Sequence, residues 1–229
     1  DGAELDTLAS LLAALPPPEE DCATDAPVLV VPEVFEPALC ERLIDEYRRS
    51  GGMPSGFMRE RDGRTVGMHD ARHKVRRDHL VEAPDLLALL QRRIVGRLAP
   101  WVQRAHQFQV SRMERYLVAC YDAAEAAHFR AHRDNTTRGT AHRRFAVTIN
   151  LNHDFEGGEL SFPEFGPRRY RPEPGSALVF SCSLLHQVDR MRRGQRFAFL
   201  PFLYDDAAAK IREANNQFLG EGVGEYKAR

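Results

Sequence analysis

Two histidines and one aspartate of this chain are residue types that together hold a ferrous ion. His132 and Asp134 are separated by one residue, and His186 lies further along the chain. Two imidazoles and one carboxylate bind iron(II) on one face and leave the opposite face open for chemistry. Arg196 follows His186 by ten residues and offers a planar guanidinium to a carboxylate-bearing cosubstrate. The pattern predicts oxidation at an iron centre that consumes 2-oxoglutarate and O₂.

The spacing of His132 and Asp134 suits an extended chain, because residues i and i+2 of a strand point to the same face. A His-x-Asp tripeptide is a weak signal alone in a chain with 9 histidines. His186 strengthens it, because it follows the apolar stretch 176–185. Arg196 opens another apolar stretch, and a guanidinium at a barrel mouth is costly unless it meets an anion. The neighbouring arginines are predicted to be surface charges: Arg190, Arg192 and Arg193.

The second half of the chain predicts a β-sheet core. Short β-rich runs separated by Gly, Pro, Asn and Asp are typical of an antiparallel sandwich or barrel of jelly-roll type. Four such runs cover residues 115–121, 145–151, 177–181 and 197–203. The predicted fold class is an all-β core with flanking helices (α+β), arranged as a distorted double-stranded β-helix.

The first half predicts mainly helices, which are separated by proline and glycine. We expect an N-terminal helix and Pro-rich linker in 1–27 and one domain in 28–229. That domain divides into helical support (about 28–107), a jelly-roll core (about 108–204) and a C-terminal helix (about 205–218). Within the support, the predicted elements are a strand at 28–31, a helix at 36–50 and a helix at 84–107 that Pro100 kinks, with Trp101 in the core.

Residues 51–75 are polar, rich in glycine and poor in periodicity. This predicts a long loop, and two interpretations remain open. It could form a mobile lid over a site, or it could be a plain surface excursion.

Composition limits the classes of partner. The chain has 229 residues, of which 43% are hydrophobic and 28% charged, and its net charge is −1. No overall field therefore favours nucleic acid or an anionic membrane, and no apolar run approaches the length of a membrane span. The four cysteines are widely spaced, which predicts reduced residues and a cytoplasmic protein. The first residue is Asp1, so we expect a trimmed or truncated chain.

The stretch from about residue 115 to 203 resembles the 2-oxoglutarate/iron(II)-dependent dioxygenase superfamily, on its prolyl 4-hydroxylase-like branch. The similarity covers roughly two fifths of the chain. It is specific for the superfamily and says little about the substrate. The segments that carry it are Tyr121-Asp122, 128–135, 149–152, 155–163, 174–180, His186-Gln187-Val188, Gly194 and Arg196.

The resemblance implies roles for individual residues. His132, Asp134 and His186 would bind Fe(II), and Arg196 would pair with the distal carboxylate of 2-oxoglutarate. Three further residues are candidates for contact with the cosubstrate: Tyr121, Asn150, where relatives often carry Tyr, and Thr148.

The resemblance also implies the reaction. We expect hydroxylation of an unactivated C–H in a proline-like peptidyl residue or a small molecule, with O₂ consumed, succinate and CO₂ released, and ascorbate as a reductant. Relatives that halogenate lack the carboxylate ligand, so Asp134 favours hydroxylation. Candidate substrate contacts are Arg130, Asn135 and residues 51–75.

Three alternatives stay open from the sequence. The first is a cupin-like metalloenzyme that needs no 2-oxoglutarate and recruits more histidines. His128 would be the extra ligand, although four residues of extended chain place it about 13 Å from His132. The second is a non-catalytic binding module on a jelly-roll scaffold. The third concerns context, because similar oxygenase domains are sometimes joined to a redoxin-like domain in a longer parent chain.

Overall fold

The structure is a computed structural model that describes residues 24–221 and 223–227, together with four residues near the start, Glu4, Asp6, Thr7 and Ser10. Those four are helical and exposed. The rest of the predicted N-terminal helix and most of the Pro-rich linker lie outside the described residues. The boundary at residue 27 therefore stays a prediction.

Two antiparallel sheets form the centre of the molecule. The strands of the described residues are β1 (Leu29–Val31), β2 (Met53–Pro54), β3 (Phe57–Arg61), β4 (Arg64–Met68), β5 (Lys74–Val75), β6 (Arg77–Leu80), β7 (Arg112–Glu114), β8 (Leu117–Asp122), β9 (His128–His132), β10 (Phe145–Asn150), β11 (Leu160–Ser161), β12 (Arg169–Tyr170), β13 (Ala177–Ser181), β14 (His186–Val188), β15 (Gln195–Phe199) and β16 (Phe202–Tyr204). The larger sheet has nine strands in the order β1-β13-β10-β15-β8-β6-β2, with β16 paired to β10 and β7. The smaller sheet has the order β12-β11-β14-β9-β5, and β3 and β4 form a separate hairpin.

Side chains alternate across these strands, so that the larger sheet has two buried faces. One face, which carries Val147, Ile149 and Phe199, packs against the helices. The other, which carries Tyr121 and Phe180, packs against the smaller sheet. The predicted fold class, a jelly-roll core with helices on one side, is confirmed.

Four helical segments cover the outer face of the larger sheet, α1 (Pro37–Ser50), α2 (Pro84–Arg93), a π-helical turn (Ile94–Leu98) and α3 (Ala99–His106). After the sheets comes α4 (Asp206–Ala214), whose buried residues Ala208 and Ala209 form a separate small cluster with Tyr204. α1 begins with proline at its first position, where a missing amide is harmless, and ends at Gly51 in the left-handed region. Its buried residues include Leu39, Leu43 and Ile44, which face the sheet at helical spacing. No helix of the described residues is long and apolar enough to cross a membrane.

The predicted helix at 84–107 is interrupted, as Pro100 suggested. The interruption lies one turn before Pro100. The π-helical turn ends at Leu98, and Pro100 then lies in the first turn of α3. The prediction that Trp101 packs in the core is wrong. Its side chain is 48% exposed, beneath the guanidinium of Arg104, while its neighbour Val102 is buried instead.

The prediction of one long loop at 51–75 is also wrong. The segment contains β2, β3, β4 and β5. The sequence hides this because β3 and β4 are almost wholly exposed and so carry no apolar alternation. A sequence signal exists at Asp62-Gly63, the pair that joins the two strands with positive φ at both positions, as in a tight hairpin turn.

We expect Gly175→Ala to destabilise the fold by at least about 2 kcal/mol. Gly175 has φ +77°, and a methyl group there would lie 2.1 Å from the carbonyl oxygen of Phe35. That carbonyl belongs to the segment that leads into α1. Chemical denaturation gives the free energy of unfolding. Gly96→Ala is the matched control, because no atom lies within 4 Å of a methyl group there. Equal stability of both variants would contradict the packing described for Gly175.

Candidate active site

The two histidines lie opposite each other on neighbouring strands of the smaller sheet. β9 and β14 run antiparallel with His132 paired to His186, and the ring centroids are 4.3 Å apart. The sequence predicted that strand alternation would bring Asp134 to the same face as His132. Asp134 instead follows the end of β9, so its position comes from a turn. Its amide donates to the carbonyl of Cys182. Nε2 of His132 is 3.6 Å and Nε2 of His186 3.3 Å from the Asp134 carboxylate.

Both imidazoles present Nε2 to the site. Nδ1 of His132 lies 2.7 Å from the carbonyl oxygen of Arg130, and Nδ1 of His186 lies 3.0 Å from that of Leu184. Because a carbonyl only accepts, each Nδ1 donates its hydrogen there, which leaves Nε2 as the nitrogen that faces Asp134 and can bind a metal. Burial, and then the neighbouring His186, lower the pKa of His132 to about 3.

The three side chains fit Fe(II). One donor atom of each lies within 4.8 Å of the others, and two nitrogens with one carboxylate oxygen form the donor set that non-haem iron(II) oxygenases use. Burial by itself raises the pKa of Asp134, but His186 and His132 bring it well below its ordinary value, so the carboxylate is charged at neutral pH. The resulting cluster can bind a divalent ion on one side.

Asp134 is also supported from behind by a buried ionic cluster that the sequence analysis missed. Arg143 Nη1 donates to the Asp134 carbonyl at 3.3 Å, and its Nε donates to Glu114 at 2.6 Å. Glu114 also meets His142 at 3.2 Å and Arg212 at 2.8 Å. The residues come from distant parts of the chain, which is why no local pattern predicts the cluster.

An inner cavity of about 70 Å³ opens from the three candidate ligands into the space between the sheets. Arg196 lies in its wall, 3% exposed. Its Nε donates to Asn150 Oδ1 at 3.0 Å and its Nη2 to Thr148 Oγ1 at 2.8 Å. Both partners are neutral, and within the described part of the chain no carboxylate lies within 4 Å of this guanidinium. A buried cation of this kind is costly unless an anion joins it.

The other predicted cosubstrate contacts differ in position. Tyr121 and Thr148 line the inner cavity, and the Tyr121 hydroxyl accepts from Arg76 at 3.4 Å. Asn150 does not line it. Its amide nitrogen donates to the carbonyl of Pro172 at 2.8 Å, and its oxygen accepts from Arg196. The structure therefore places Asn150 behind Arg196 as an orienting group, with one of its two amide hydrogens donated to Pro172.

The predicted substrate contacts Arg130 and Asn135 lie away from both cavities that border the histidines. Arg130 is exposed on β9, and the Asn135 amide donates to Ser183 Oγ. His128, the extra ligand of the cupin-like alternative, is not part of the candidate cluster. Its Nδ1 lies 3.0 Å from the Ala126 carbonyl and its Nε2 3.4 Å from that of Arg72.

An outer cavity of about 670 Å³ lies on the other side of His132 and Asp134. Its walls include Phe57 and Met58 of the β3–β4 hairpin, and Leu219 of the C-terminal segment. The hairpin and that segment are joined, because the amide of Gly220 donates to the Thr65 carbonyl. Residues from the predicted lid region thus do border the site, as a hairpin tied to the C-terminal segment.

Lys74 and Arg76 are further cavity residues that the sequence analysis missed. Both are buried and line the inner cavity, and Lys74 lines the outer one as well. The sequence does carry a signal. Lys74, Arg76 and Asp78 alternate along an extended segment, which places three ionisable groups on one face.

The comparisons with known proteins agree with this geometry. Residues 116–204 match the 2OG-Fe(II) oxygenase superfamily. A PKHD-type hydroxylase of Synechococcus sp. is 25% identical over 120 residues, which is 49% of each chain. The chain thus spans about half the length of this curated relative.

Two solved structures share the fold at low identity. A prolyl hydroxylase from Trichoplax adhaerens, in complex with a hypoxia inducible factor peptide fragment, has a TM-score of 0.61 and 15% identity, covering 81% of this chain and 85% of that one. A Pseudomonas putida prolyl-4-hydroxylase has a TM-score of 0.59 and 16% identity, covering 88% and 99%. The match over residues 116–204 agrees with the superfamily that the sequence resembles, and the two solved structures agree with it in fold.

We expect Asp78→Asn to destabilise the protein by about 3 kcal/mol at neutral pH, because it leaves the buried Arg76 guanidinium without its carboxylate. Burial raises the pKa of Asp78, but Arg76 outweighs it and holds that pKa at about 2, below the ordinary 3.8. The stabilisation is therefore complete above pH 3.8 and is lost as the pH falls towards 2.

The measurement is urea unfolding of the wild type and of Asp78→Asn across this pH range. The exposed Asp45→Asn, whose partner Arg48 is 3.8 Å away at the surface, serves as the control and should change little. A stability difference that stays constant down to pH 2 would show that Asp78 is not ion-paired in the folded protein.

We also expect His132→Ala, Asp134→Ala and His186→Ala each to weaken Fe(II) binding by at least about 100-fold, since each removes a direct ligand. Anaerobic calorimetric titration of the iron-free protein with Fe(II) measures this. His128→Ala, a histidine of the same strand outside the cluster, should bind within about threefold of wild type. Undiminished binding in all three ligand variants would exclude this metal site.

Proposed function

We propose that this chain, whose residues 116–204 match the 2OG-Fe(II) oxygenase superfamily, is an Fe(II)- and 2-oxoglutarate-dependent hydroxylase. It would oxidise an unactivated C–H of its substrate with release of succinate and CO₂. One observation carries the proposal. A two-histidine, one-carboxylate cluster borders the same cavity as Arg196, a buried cation that has only neutral partners among the described residues.

In this proposal each residue has a limited task. His132, Asp134 and His186 would hold Fe(II) through the two Nε2 atoms and the carboxylate. The bound ion supplies activation of O₂, with 2-oxoglutarate as the source of electrons. Two side chains in the cavity wall would hold the cosubstrate, since the Arg196 fork suits a carboxylate and the Tyr121 hydroxyl can donate to an anion.

The orientation of Arg196 is fixed before any ligand arrives. Asn150 and Thr148 each accept one of its hydrogen bonds, and Asn150 is in turn held by the Pro172 carbonyl. The remaining donors of the guanidinium are left for an anion. Pre-organisation of this kind lowers the entropic cost of binding the cosubstrate.

Exclusion of water is the other task of the chain. The inner cavity has an apolar wall, formed by Phe129, Leu160, Phe180 and Val188. An apolar lining excludes water, which protects a strong oxidant from side reactions and strengthens the electrostatic contacts inside the cavity. The outer cavity is larger and would admit the substrate, either a proline-like residue of a peptide or a small molecule.

The wider context of the protein stays a prediction. Cys40, Cys120 and Cys182 are buried and unpaired, which supports the expectation of reduced cysteines and with it a cytoplasmic protein. We also propose ascorbate as a reductant and a redoxin-like domain in a longer parent chain. The net charge of −1 supports the further prediction that nucleic acid and membranes are not partners.

We expect Arg196→Met to raise the KM for 2-oxoglutarate by at least about tenfold, the equivalent of about 1.4 kcal/mol, because it removes the charged fork from the cavity wall. The measurement is 2-oxoglutarate-dependent succinate formation by the iron-loaded protein. The control is Arg192→Met, since the Arg192 side chain is 64% exposed in the same turn. If both variants kept the wild-type KM, Arg196 would have no part in cosubstrate binding.

A further inference from the structure

Three cationic side chains surround one carboxylate beside the inner cavity. Asp78 accepts from Arg76 at 2.6 and 2.7 Å and lies 3.4 Å from Arg115. Lys74 reaches the same carboxylate through a hydroxyl, because Ser55 Oγ accepts from the ammonium at 2.7 Å and donates to Asp78 at 2.5 Å. One negative charge thus serves three positive ones.

Lys74 is the least compensated of these cations. Its side chain is 6% exposed. Two ammonium hydrogens are directed to neutral acceptors, Ser55 Oγ and, at 2.6 Å, the Gly56 carbonyl. Within the described residues no carboxylate lies within 4 Å of this nitrogen. Burial therefore lowers the pKa of Lys74 well below its ordinary value, and an anion placed beside it would stabilise the charged form.

The position of Lys74 is equally informative. It belongs to β5 and pairs with Phe129 of β9, and its ammonium lies 4.8 Å from the centre of that ring. The Phe129 ring stacks on the imidazole of His132. Lys74 and Arg115 both line the inner and the outer cavity. They therefore stand where the two cavities meet, beside the candidate ligands.

The charge balance indicates which molecule would meet them. Four cationic side chains line the inner cavity, with Asp134 as the carboxylate of the lining and Asp78 directly behind it. This leaves two positive charges in excess in the lining and Asp78 taken together. Glu159, which also acts on Arg196, lies outside the lining, 3.9 Å from Arg192. A ferrous ion and the 2-oxoglutarate dianion cancel each other, so the excess remains after both have bound. With Lys74 neutral, one charge would still be uncompensated.

We propose that Lys74 and Arg115 bind a carboxylate of the primary substrate where the two cavities meet. The substrate class is then an organic acid, free or at the end of a peptide, with its carboxylate a few bonds from the oxidised C–H. The inference rests on the proposed function. In that function Arg196 takes the distal end of 2-oxoglutarate and the iron its other end, so the cosubstrate leaves Lys74 free.

Matched ligands test the proposal without turnover. N-acetyl-L-proline and N-acetyl-L-prolinamide differ in the carboxylate, and a second pair, N-acetyl-L-leucine and its amide, keeps that difference while changing the side chain. Binding is measured by calorimetry on the full chain with Fe(II) and 2-oxoglutarate under anaerobic conditions. We expect each acid to bind at least about tenfold more tightly than its amide, or about 1.4 kcal/mol. Equal binding within both pairs would overturn the proposal.

Variants then assign the effect to Lys74. Lys74→Met keeps an apolar stem beside Phe129 and removes the charge, and should lower the acid-to-amide ratio, with Arg115 left as the remaining cation. Lys210→Met, an exposed lysine of α4, should keep the wild-type ratio. Thermal melts check that both variants fold. If Lys74→Met instead weakened 2-oxoglutarate binding and kept the acid preference, Lys74 would serve the cosubstrate and the proposal would be wrong.

A separate experiment tests the proposed hydroxylase function independently of the substrate carboxylate. Iron-loaded wild-type protein should form succinate slowly from 2-oxoglutarate in air without any primary substrate. If this background reaction is absent, the proposed hydroxylase function fails. If it is present while acids and amides bind equally, the inference about the substrate carboxylate fails alone.

Discussion

The antiparallel register of β9 and β14 is the constraint on which the site depends. It sets His132 directly opposite His186, and a shift of one residue would turn one imidazole to the other face of the sheet. The ladder shifts by one residue between His186 and Val188, so that Val188 pairs with Phe129 while His186 pairs with His132. Val188 and Phe129 both lie in the core between the sheets. The packing of the jelly roll thus fixes the distance between two of the three candidate ligands.

Local hydrogen bonds refine what the register provides. Each imidazole donates to the carbonyl two residues before it, so the chain itself selects the tautomer. Asp134 is fixed through its main chain, by the Cys182 carbonyl on one side and Arg143 on the other. Because Arg143 is anchored by Glu114, a buried ionic cluster supports a carboxylate that would otherwise lie in a flexible turn.

Next to the candidate ligands, the cavity walls carry more buried cationic side chains than carboxylates. Arg196 and Lys74 are buried among neutral acceptors, an arrangement that costs stability in the free protein. Their presence on the walls of two connected cavities is physically reasonable if anionic ligands complete them. The same reasoning distinguishes these two residues from Arg192 and Arg193, which are exposed and lie within 4 Å of the carboxylates of Glu159 and Glu156.

The sequence predicts best where one physical signal dominates. His132, His186 and Arg196 are readable because ionisable groups next to apolar strands are unusual, and the strands themselves follow apolar runs. The hairpin β3–β4 was missed because exposed strands carry no such runs, and Trp101 was misplaced because only its neighbour Val102 faces the core. The roles of Asn150 and Lys74 depend on partners such as Pro172 and Ser55, which no local pattern identifies.

The most direct test is X-ray absorption spectroscopy at the iron edge of the protein loaded with one Fe(II). Multiple scattering from imidazole rings counts the histidines bound to the metal. The geometry predicts two imidazoles per iron with oxygen donors in the remaining positions, and a change in the oxygen donors alone when 2-oxoglutarate is added. One imidazole or none, or loss of an imidazole on adding 2-oxoglutarate, would contradict a site built from His132, Asp134 and His186.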